Sequence, residues 1–406
     1  MSNRDIHVVV VGISTAGIAI SKAIAALSKD GRYPGLRVTI VDRNDYWYHM
    51  IGAPRAVVDK QFGHQLFFRQ ETLLTPFEAD PLRPKHRFIQ ASLVAVNSDK
   101  SLELSNGEKL SFDYLLLSTG STNTFPGNVI ASSLEDARSR LVQLHEDVKR
   151  AKSVLVIGGG AVGVEIAGEV ASEYPKKKVT LVHSGARLLP PNFKAGLSDG
   201  AVHKLQRVGV EVVLNERMVI PVETPFDGTL RPLTLKGKSG RTYESEIQFL
   251  TIGPKIHTGY LESLERQLDT KLREANGAIR IRPTFQVDHD QLPTVFAVGD
   301  VNSLPAGNKY AMKAAEQAQV AAANVIKMIE ACFDQHGKVC NVSLEQWNNS
   351  EASTIVVPIG KNLGVAQAGG VALGRSCVGD ILVRNVKGKD YFLAKAASGF
   401  PPGANA

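Results

Sequence analysis

Residues 153–163 read Ser153-Val-Leu-Val-Ile-Gly-Gly-Gly-Ala-Val-Gly163, an apolar run that leads directly into a cluster of glycines. The run predicts a buried strand, and the residues that follow, Val164–Glu173, predict a helix. A second strand is expected at Lys178–Val182. A strand, a glycine turn, a helix and another strand in this order are typical of a parallel α/β sheet.

Each glycine of this turn has a separate physical role. Gly158 permits the tight turn, Gly160 lets the backbone approach a pyrophosphate, and Gly163 lets the helix pack close to the strand. The N-terminus of the helix then offers unpaired N–H groups and a partial positive charge to phosphates. The stretch therefore predicts a dinucleotide-binding turn.

The same order of elements occurs earlier in the chain. Val8–Val11 predicts a strand, Gly12-Ile-Ser-Thr-Ala-Gly17 a glycine turn, Ile18–Lys29 a helix, and Arg37–Val41 a second strand. Two copies of one unit indicate two nucleotide-binding halves of the Rossmann type. The predicted fold is α/β, with two Rossmann-like dinucleotide-binding domains.

Each copy also ends alike, in a hairpin that runs into an apolar strand and a glycine. The hairpin at Ser101–Tyr114 leads to Thr119-Gly120, and the one at Pro221–Gln248 leads to Gly253. Farther along, Thr294–Asp300 predicts a third apolar strand.

A long Ala-rich helix is expected at Lys309–Ala331. In the remaining residues, Thr354–Val357 and Ile381–Val386 are expected to be strands.

The residues after the strand at Lys178–Val182 bear on the choice of nucleotide. A carboxylate there would accept from the ribose 2′-hydroxyl of NAD, whereas a basic residue would bind the 2′-phosphate of NADP. The sequence has His183, Ser184 and Arg187 and no carboxylate. NADPH is therefore favoured, with NADH left open.

The first glycine turn departs from the pattern, because Ser14 stands where the middle glycine belongs. Asp42 ends the next strand and is suited to hold a ribose hydroxyl. Asp300 ends a buried strand, where an unpaired carboxylate would be costly. With Thr119 and Gly120, these residues predict an FAD site that includes Gly12 and Gly17.

Composition limits the alternatives. The 406 residues are 43% hydrophobic and 21% charged, which suits several globular domains and excludes a mostly disordered chain. The sequence contains no apolar run long enough for a membrane-spanning helix. The start of the chain predicts neither a secretory signal nor, with Ser2, a myristoyl group.

The net charge of +7 suits a protein that binds anionic dinucleotides. Ten histidines show no metal-binding spacing, so no metal is expected. The three cysteines, Cys332, Cys340 and Cys377, fit a reducing compartment and are expected to be small buried side chains.

Four stretches spread over the chain resemble one family of flavoproteins. They are Ser118-Thr-Gly-Ser-Thr-Asn-Thr-Phe-Pro-Gly127, Gly158–Glu165, Val179–Ser184 and Val383-Arg-Asn-Val-Lys-Gly-Lys-Asp-Tyr-Phe392. The chain is similar to the two-dinucleotide-domain flavoproteins, which include glutathione reductase, type II NADH dehydrogenases and apoptosis-inducing factor. Within that family it most resembles the apoptosis-inducing-factor-like ferroptosis suppressor group, for which the last stretch is specific.

The resemblance implies a domain order. A discontinuous FAD domain would comprise residues 1–125 and 254–335, with an NAD(P)H domain inserted at 126–253. A small C-terminal α+β domain would occupy 336–406.

The resemblance also implies an activity, the oxidation of NAD(P)H through FAD with transfer of electrons to a quinone. It implies that Glu165 lies near the nicotinamide, Lys387 and Phe392 beside the acceptor, and Arg55 near the flavin, where an ordinary salt bridge is the alternative. The helix that begins near Lys309 would direct its N-terminus at the flavin.

Disulfide reductases of the family need a cysteine pair just after the first unit, and no cysteine precedes Cys332. Dithiol chemistry is therefore not expected.

Two other functions stay open. One is a flavoenzyme with a small biosynthetic substrate, suggested by Ser14 and by Gly253-Pro-Lys-Ile-His257. The other is an interaction protein like apoptosis-inducing factor. The sequence has no long basic block, and nucleic-acid binding is not expected. A cytoplasmic location is expected, with peripheral membrane contact or mitochondrial association open, and the sequence leaves the oligomeric state undetermined.

Overall fold

The computed structural model describes residues 5–30, 33–70, 73–78, 85–131, 133–221, 223–334, 342–348, 354–401 and 404–405. The chain divides into two compact units. The first unit comprises Met1–Trp47, Arg69–Ser121 and Lys255–Ala352, and the second comprises Tyr48–Phe68, Thr122–Pro254 and Ser353–Ala406.

The strands, numbered along the chain, are β1 Ile6–Val11, β2 Leu36–Asp42, β3 Tyr46–Tyr48, β4 Phe67–Arg69, β5 Arg87–Gln90, β6 Leu93–Val96, β7 Ser101–Leu104, β8 Lys109–Ser111, β9 Tyr114–Leu117, β10 Ser153–Ile157, β11 Lys178–Val182, β12 Val210–Val213, β13 Leu233–Lys236, β14 Thr242–Ser245, β15 Ile247–Leu250, β16 Val295–Ala297, β17 Ile355–Ile359, β18 Leu363–Ala368 and β19 Val371–Leu373.

The α-helices are α1 Thr15–Ala25, α2 Ala53–Ala56, α3 Lys60–His64, α4 Leu134–Arg150, α5 Ala161–Glu173, α6 Ala195–Arg207, α7 Glu262–Gln267, α8 Ala311–Asp334, α9 Cys377–Val383 and α10 Leu393–Ala397. A π-helical turn, Arg384–Gly388, follows α9 directly.

The first unit is built on a five-stranded parallel sheet in the order β16-β9-β1-β2-β5. Every residue of β1 is buried, as expected for a central strand covered on both faces. Helices α1 and α8 pack against each other in this unit. The chain leaves β1 between β2 and β9, which is the point where the strand order reverses and where such sheets bind ligands.

The second unit contains a four-stranded parallel sheet in the order β12-β11-β10-β15. A three-stranded antiparallel sheet, ordered β17-β18-β19, packs against α5. At the contact, a Cβ on Gly168 would lie 2.7 Å from Cα of Ile359, so only glycine allows this approach of helix to strand.

The observed architecture confirms the predicted fold class and the predicted bounds of β10 and β11, whereas β1 begins at Ile6, two residues before the predicted Val8. Helix α8 begins at Ala311, two residues after the predicted start. The functional boundaries at 1–125, 126–253, 254–335 and 336–406 stay a prediction. By contacts alone, the described residues after 353 belong to the second compact unit.

The predicted strand at Ile381–Val386 is wrong, because these residues lie in α9 and the π-helical turn. The side chain of Ser376 caps α9 by accepting from the N–H of Gly379 at 3.1 Å. The helix also packs against β18. Capping and packing therefore override the β-branched composition of the segment.

Among the described residues, no helix is both long and apolar enough to cross a membrane.

Candidate functional site

The glycine turn after β10 leaves no room for side chains at two of its positions. Gly158 has a φ of +117°, and a Cβ there would lie 2.5 Å from the carbonyl oxygen of Thr251. A Cβ on Gly163 would lie 2.0 Å from the carbonyl oxygen of Gly158. Both glycines are therefore required by the packing of strand, turn and helix.

Gly160 differs, because a Cβ built on it would meet no atom within 4 Å. The residue is the N-cap of α5, and it lines a cavity of about 480 Å³ together with Gly159, His183 and Arg187. Open space at a helix N-terminus, beside a residue that lacks a side chain, fits the phosphates of a dinucleotide. The residues of this turn thus fit the predicted nicotinamide nucleotide.

The residues after β11 lie against the same turn. Nδ1 of His183 accepts from the N–H of Gly159 at 3.1 Å, and burial lowers the pKa of His183, which favours the neutral ring that this bond needs. Arg187 is exposed and lines the cavity, whereas the exposed Ser184 is not one of its lining residues.

The carboxylate of Glu216 lies in the loop that follows β12, close to the end of β11. The backbone N–H of Glu216 donates to the carbonyl of His183, and its carboxylate accepts from the hydroxyl and the N–H of Ser239. Those hydrogen bonds lower the pKa of Glu216 and hold its side chain against Gly237. This carboxylate is therefore hydrogen-bonded to Ser239 and is not among the residues that line the cavity.

The turn after β1 is built in the same way. Gly12 has a φ of +93°, and a Cβ there would lie 2.5 Å from the carbonyl oxygen of Ser118. A Cβ on Gly17 would lie 2.1 Å from the carbonyl oxygen of Gly12. Ser14, in the position of the middle glycine, is the N-cap of α1, and its Oγ accepts from the N–H of Gly17 at 3.4 Å. The serine therefore supports the helix start.

A hydroxyl from the neighbouring strand end braces each turn, which the sequence reasoning missed. Oγ of Ser118 donates to the carbonyl of Gly12 at 2.6 Å, and Oγ1 of Thr251 donates to the carbonyl of Gly158 at 2.9 Å. The sequence signal was a hydroxyl residue two positions before Gly120 and Gly253. Both of those glycines have positive φ, +65° and +111°, and face open space.

Asp42 is held at the end of β2. Its two carboxylate oxygens accept from the N–H groups of Ile13 at 2.7 Å and Asn44 at 2.8 Å. Burial raises the pKa of Asp42 above its ordinary value, against the opposing effect of these hydrogen bonds. The structure thus ties Asp42 to the glycine turn, where it was predicted to hold a ribose.

Asp300 lies in a short turn after β16, and its Oδ2 accepts from Oγ of Ser121 at 2.7 Å. Burial raises the pKa of Asp300, while Ser121 and the charge of Lys309 act in the opposite direction. Nζ of Lys309 donates to the carbonyl of Asp300 at 2.9 Å. Lys309 therefore braces the turn that carries Asp300 and precedes α8. Thr119, also predicted to bind FAD, shares a hydrogen bond of 2.9 Å with the hydroxyl of Tyr260.

Glu165 and Lys387 meet in the second unit. Glu165 is 2% exposed, in the first turns of α5, and Nζ of Lys387 donates to its Oε1 at 2.5 Å. Burial raises the pKa of Glu165, and the lysine lowers it. Glu165 was expected near the nicotinamide and Lys387 beside the acceptor. The two residues, 222 positions apart in sequence, thus form one buried pair.

A second buried pair lies one helical turn further along α5. Nε and Nη2 of Arg55 donate to the two carboxylate oxygens of Glu169 at 2.7 and 2.8 Å, and Nη2 also donates to the carbonyl of Gly388 at 2.9 Å. The hydroxyl of Tyr391 donates to Glu169 at 2.9 Å. Arg55 therefore makes the salt bridge that was the alternative to a flavin contact, and its assignment to the flavin stays untested.

Phe392 is half-buried at the start of α10, after Tyr391, and both residues have left-handed backbones with φ of +62° and +50°. The N–H of Phe392 donates to Asp390 at 3.0 Å, and the carbonyl of Tyr391 lies 2.8 Å from Nε2 of His49. Strained non-glycine backbone that is held by several partners is typical of functional segments.

The structure describes the side chain of one of the three cysteines. Cys377 is exposed, so its predicted burial is wrong; it begins α9 on the outer side of the helix. Cys340 and the side chain of Cys332 lie outside the described residues. Within the described ranges, no group of His, Cys, Asp or Glu is arranged to hold a metal ion.

Comparison with known proteins agrees with this geometry. The sequence model described as "Pyridine nucleotide-disulphide oxidoreductase" matches residues 6–324. Ferroptosis suppressor protein 1 of Homo sapiens is 29% identical over 395 residues, which cover 96% of this chain and 94% of that protein. An FAD-dependent oxidoreductase of Flammulina velutipes is 30% identical over 315 residues, 76% of this chain and 89% of that protein.

The crystal structure of the sulfide:quinone oxidoreductase from Aquifex aeolicus has a TM-score of 0.64 at 16% identity, over 98% of this chain and 93% of that one, which shows a shared fold. The two braced glycine turns lie inside the range of the family match. The chain therefore belongs to the pyridine nucleotide-disulphide oxidoreductase family and is a flavoprotein oxidoreductase that uses a nicotinamide dinucleotide.

Proposed function

We propose that the protein is an FAD-dependent NAD(P)H:quinone oxidoreductase. The observation that carries the proposal is the pair of equally built glycine turns, at Gly12 and Gly158, combined with the buried Glu165–Lys387 pair. FAD would occupy the turn of the first unit and NAD(P)H that of the second, since each turn presents a helix N-terminus to phosphate.

In the first unit, Asp42 and Asp300 are the groups that we assign to FAD. Asp42 is hydrogen-bonded to the turn itself, and Asp300 is held by Ser121 beside the start of α8. A carboxylate fixed by backbone and hydroxyl donors keeps further lone pairs for ribose or ribityl hydroxyls. Bound FAD would accept a hydride from NAD(P)H and pass the electrons on.

For the acceptor, the chain itself argues against a dithiol, because no cysteine precedes Cys332. The resemblance to the ferroptosis suppressor group supports a quinone. Reduction of a quinone by NAD(P)H consumes one additional proton, since the hydride brings two electrons and one proton. The Glu165–Lys387 pair is suited to hold that proton, because burial raises the pKa of Glu165 while Lys387 keeps it hydrogen-bonded.

The test is spectroscopic. The purified protein, supplied with FAD, is expected to show the absorbance of oxidised flavin, to lose it on anaerobic addition of NADPH, and to regain it when a short-chain quinone is added. A protein that retains no flavin would refute the assignment of the first turn. Flavin that NADPH reduces and quinone fails to reoxidise would refute the acceptor.

Arg187 is expected to favour NADPH over NADH. Arg187 lines the cavity beside the second turn, whereas the carboxylate of Glu216 is hydrogen-bonded to Ser239 and does not line it. Arg187→Ala should raise the KM for NADPH about tenfold, equivalent to the roughly 1.4 kcal/mol of one charged hydrogen bond, and should leave the KM for NADH nearly unchanged. Steady-state kinetics with both nucleotides would measure this.

Arg207→Ala is the matched control, since Arg207 is an exposed arginine at the end of α6 that does not line the cavity. An equal change in both KM values for Arg187→Ala would contradict the assigned contact with the 2′-phosphate.

A further inference from the structure

Two buried carboxyl groups lie one helical turn apart on α5. Glu165 and Glu169 are each 2% exposed, and their spacing of four residues places them on the same face of the helix. Two negative charges that are this close together and shielded from water are unfavourable. One of the two groups must therefore be held as an anion by strong donors, or one must take up a proton.

Glu169 is the carboxylate that strong donors hold. Its two oxygens accept three hydrogen bonds, from Nε and Nη2 of Arg55 at 2.7 and 2.8 Å and from the hydroxyl of Tyr391 at 2.9 Å. A bidentate bond to a guanidinium is among the strongest that a carboxylate makes in a protein. The negative charge of Glu169 is therefore fixed in place.

Tyr391 belongs to the same cluster. It is fully buried, and burial together with the charges of Glu169 and Glu165 raises its pKa well above the ordinary value. The hydroxyl therefore keeps the proton that it donates to Glu169. The centroid of its ring lies 5.2 Å from Cζ of Arg55 and 5.4 Å from Nζ of Lys387, so one tyrosine contacts the cations of both ion pairs.

Glu165 has fewer donors than Glu169. Among the described residues, its carboxyl group accepts from Lys387 alone, whose Nζ lies 2.5 Å from Oε1. Burial raises the pKa of Glu165, Lys387 lowers it, and the charge of Glu169 raises it again. Of the two carboxyl groups, Glu165 is therefore the one suited to change its protonation state.

The other described elements that pack on α5 were considered for charges near Glu165. Strands β10 and β17 contain no ionisable side chain. The ionisable side chains of β11, β12 and α6 are exposed, except for Lys204, which pairs with Asp380. On α2 the ionisable residue is Arg55. Within the part of the chain that the structure describes, the ionisable groups that face Glu165 are thus Lys387, Glu169 and Tyr391.

We propose that Glu169, held by Arg55 and Tyr391, is a positioning residue whose fixed negative charge makes Glu165 the group that takes up and releases a proton at the candidate site. Glu169 does not exchange this proton itself, because it acts through Glu165 from one helical turn away. Enzymes that transfer protons often pair two carboxyl groups whose surroundings separate their affinities for a proton.

The proposal rests on the proposed function for the destination of the proton. Reduction of a quinone takes two electrons and two protons, and the hydride of NAD(P)H supplies both electrons and one of the protons. The second proton would leave Glu165 as its O–H bond breaks, and it would form an O–H bond on a quinone oxygen. The carboxylate that remains would pair with Lys387 until water returns a proton to it.

The test measures the protonation of Glu165 without any substrate. In the FAD-loaded protein, the infrared C=O band of the protonated carboxyl group is followed against pH, and its absence in Glu165→Gln assigns the band. The midpoint of this titration is expected to fall by about one pH unit in Glu169→Gln, because the variant removes the like charge. Glu169→Asp keeps the charge and should titrate near the wild type.

A matched control comes from the same helix. Glu173→Gln removes an exposed carboxylate of α5, whose charge is screened by water, and should leave the midpoint unchanged. If Glu169→Gln does not fold because Arg55 is left unpaired, Arg55→Met/Glu169→Met removes both charges and should lower the midpoint in its place. An unchanged midpoint in the variant that folds, an equal fall in Glu173→Gln, or a Glu165 that never takes up a proton would overturn the proposal.

Activity separates this proposal from the proposed function. Glu165 loses its proton above the midpoint, so quinone reduction should fall as the pH rises, and in Glu169→Gln this fall should begin about one pH unit lower. Reduction of the flavin by NADPH needs no proton from the protein and should not change. A lowered infrared midpoint without quinone reduction at any pH would support the role of Glu169 and refute only the acceptor. A lowered midpoint with an unshifted profile of quinone reduction would overturn Glu165 as the proton donor.

Discussion

Replacing Gly160 with alanine is expected to raise the KM for NADPH at least tenfold while flavin content and melting temperature stay unchanged. The added Cβ would meet no protein atom within 4 Å, so the fold has no reason to change. It would project from the N-cap of α5 into the space assigned to the pyrophosphate. A tenfold weaker binding of NADPH corresponds to about 1.4 kcal/mol of binding free energy. Stopped-flow reduction of the flavin by NADPH would measure this loss of affinity.

Two other glycines provide the controls. Gly163→Ala should lower the melting temperature, because its Cβ would lie 2.0 Å from the carbonyl oxygen of Gly158. Gly196→Ala, on the exposed side of α6, also adds a Cβ to open space and should change neither stability nor KM. If Gly160→Ala bound NADPH as tightly as the wild type, the second turn would not be the nucleotide site.

The substitution Arg55→Met is expected to remove about 3–5 kcal/mol from the free energy of unfolding. Glu169, 2% exposed, would lose both guanidinium donors and remain a buried carboxylate that still accepts from the hydroxyl of Tyr391. The carbonyl of Gly388 would lose its hydrogen bond as well. Urea denaturation followed by fluorescence would measure the change.

The double variant Arg55→Met/Glu169→Met should recover most of that loss, since it removes the stranded charge and fills the space with apolar atoms. Arg87→Met is the surface control: Arg87 and Glu108 form an ion pair with the arginine 53% exposed, and breaking it should cost less than about 1 kcal/mol. An Arg55→Met variant no less stable than Arg87→Met would show that the buried pair contributes little.

The local sequence was enough to predict the parallel sheets and both glycine turns. Each turn is encoded within about ten consecutive residues, from the apolar strand through the last glycine, so no long-range information is needed. The prediction of a strand at Ile381–Val386 was wrong because the structure of that segment depends on contacts with distant residues. Its β-branched residues favour a strand, but the cap at Ser376 and the contact with β18 depend on the folded sheet.

The candidate site divides in the same way. Gly158, Gly160 and Asp42 could be read from their motifs. The pairing of Arg55 with Glu169 joins residues 114 positions apart, and no periodicity encodes such a contact. The resemblance pointed to Glu165 and Lys387 separately, whereas only the structure shows them as one pair.

The hydroxyl braces on the two glycine turns bear on the kinetics of nucleotide exchange. Ser118 and Thr251 hold their turns through hydrogen bonds within the protein, so these bonds do not depend on a bound ligand. A preformed cradle spares the entropy of ordering a loop when a nucleotide arrives. No loop of these two turns would then have to fold again between the departure of one nicotinamide nucleotide and the arrival of the next.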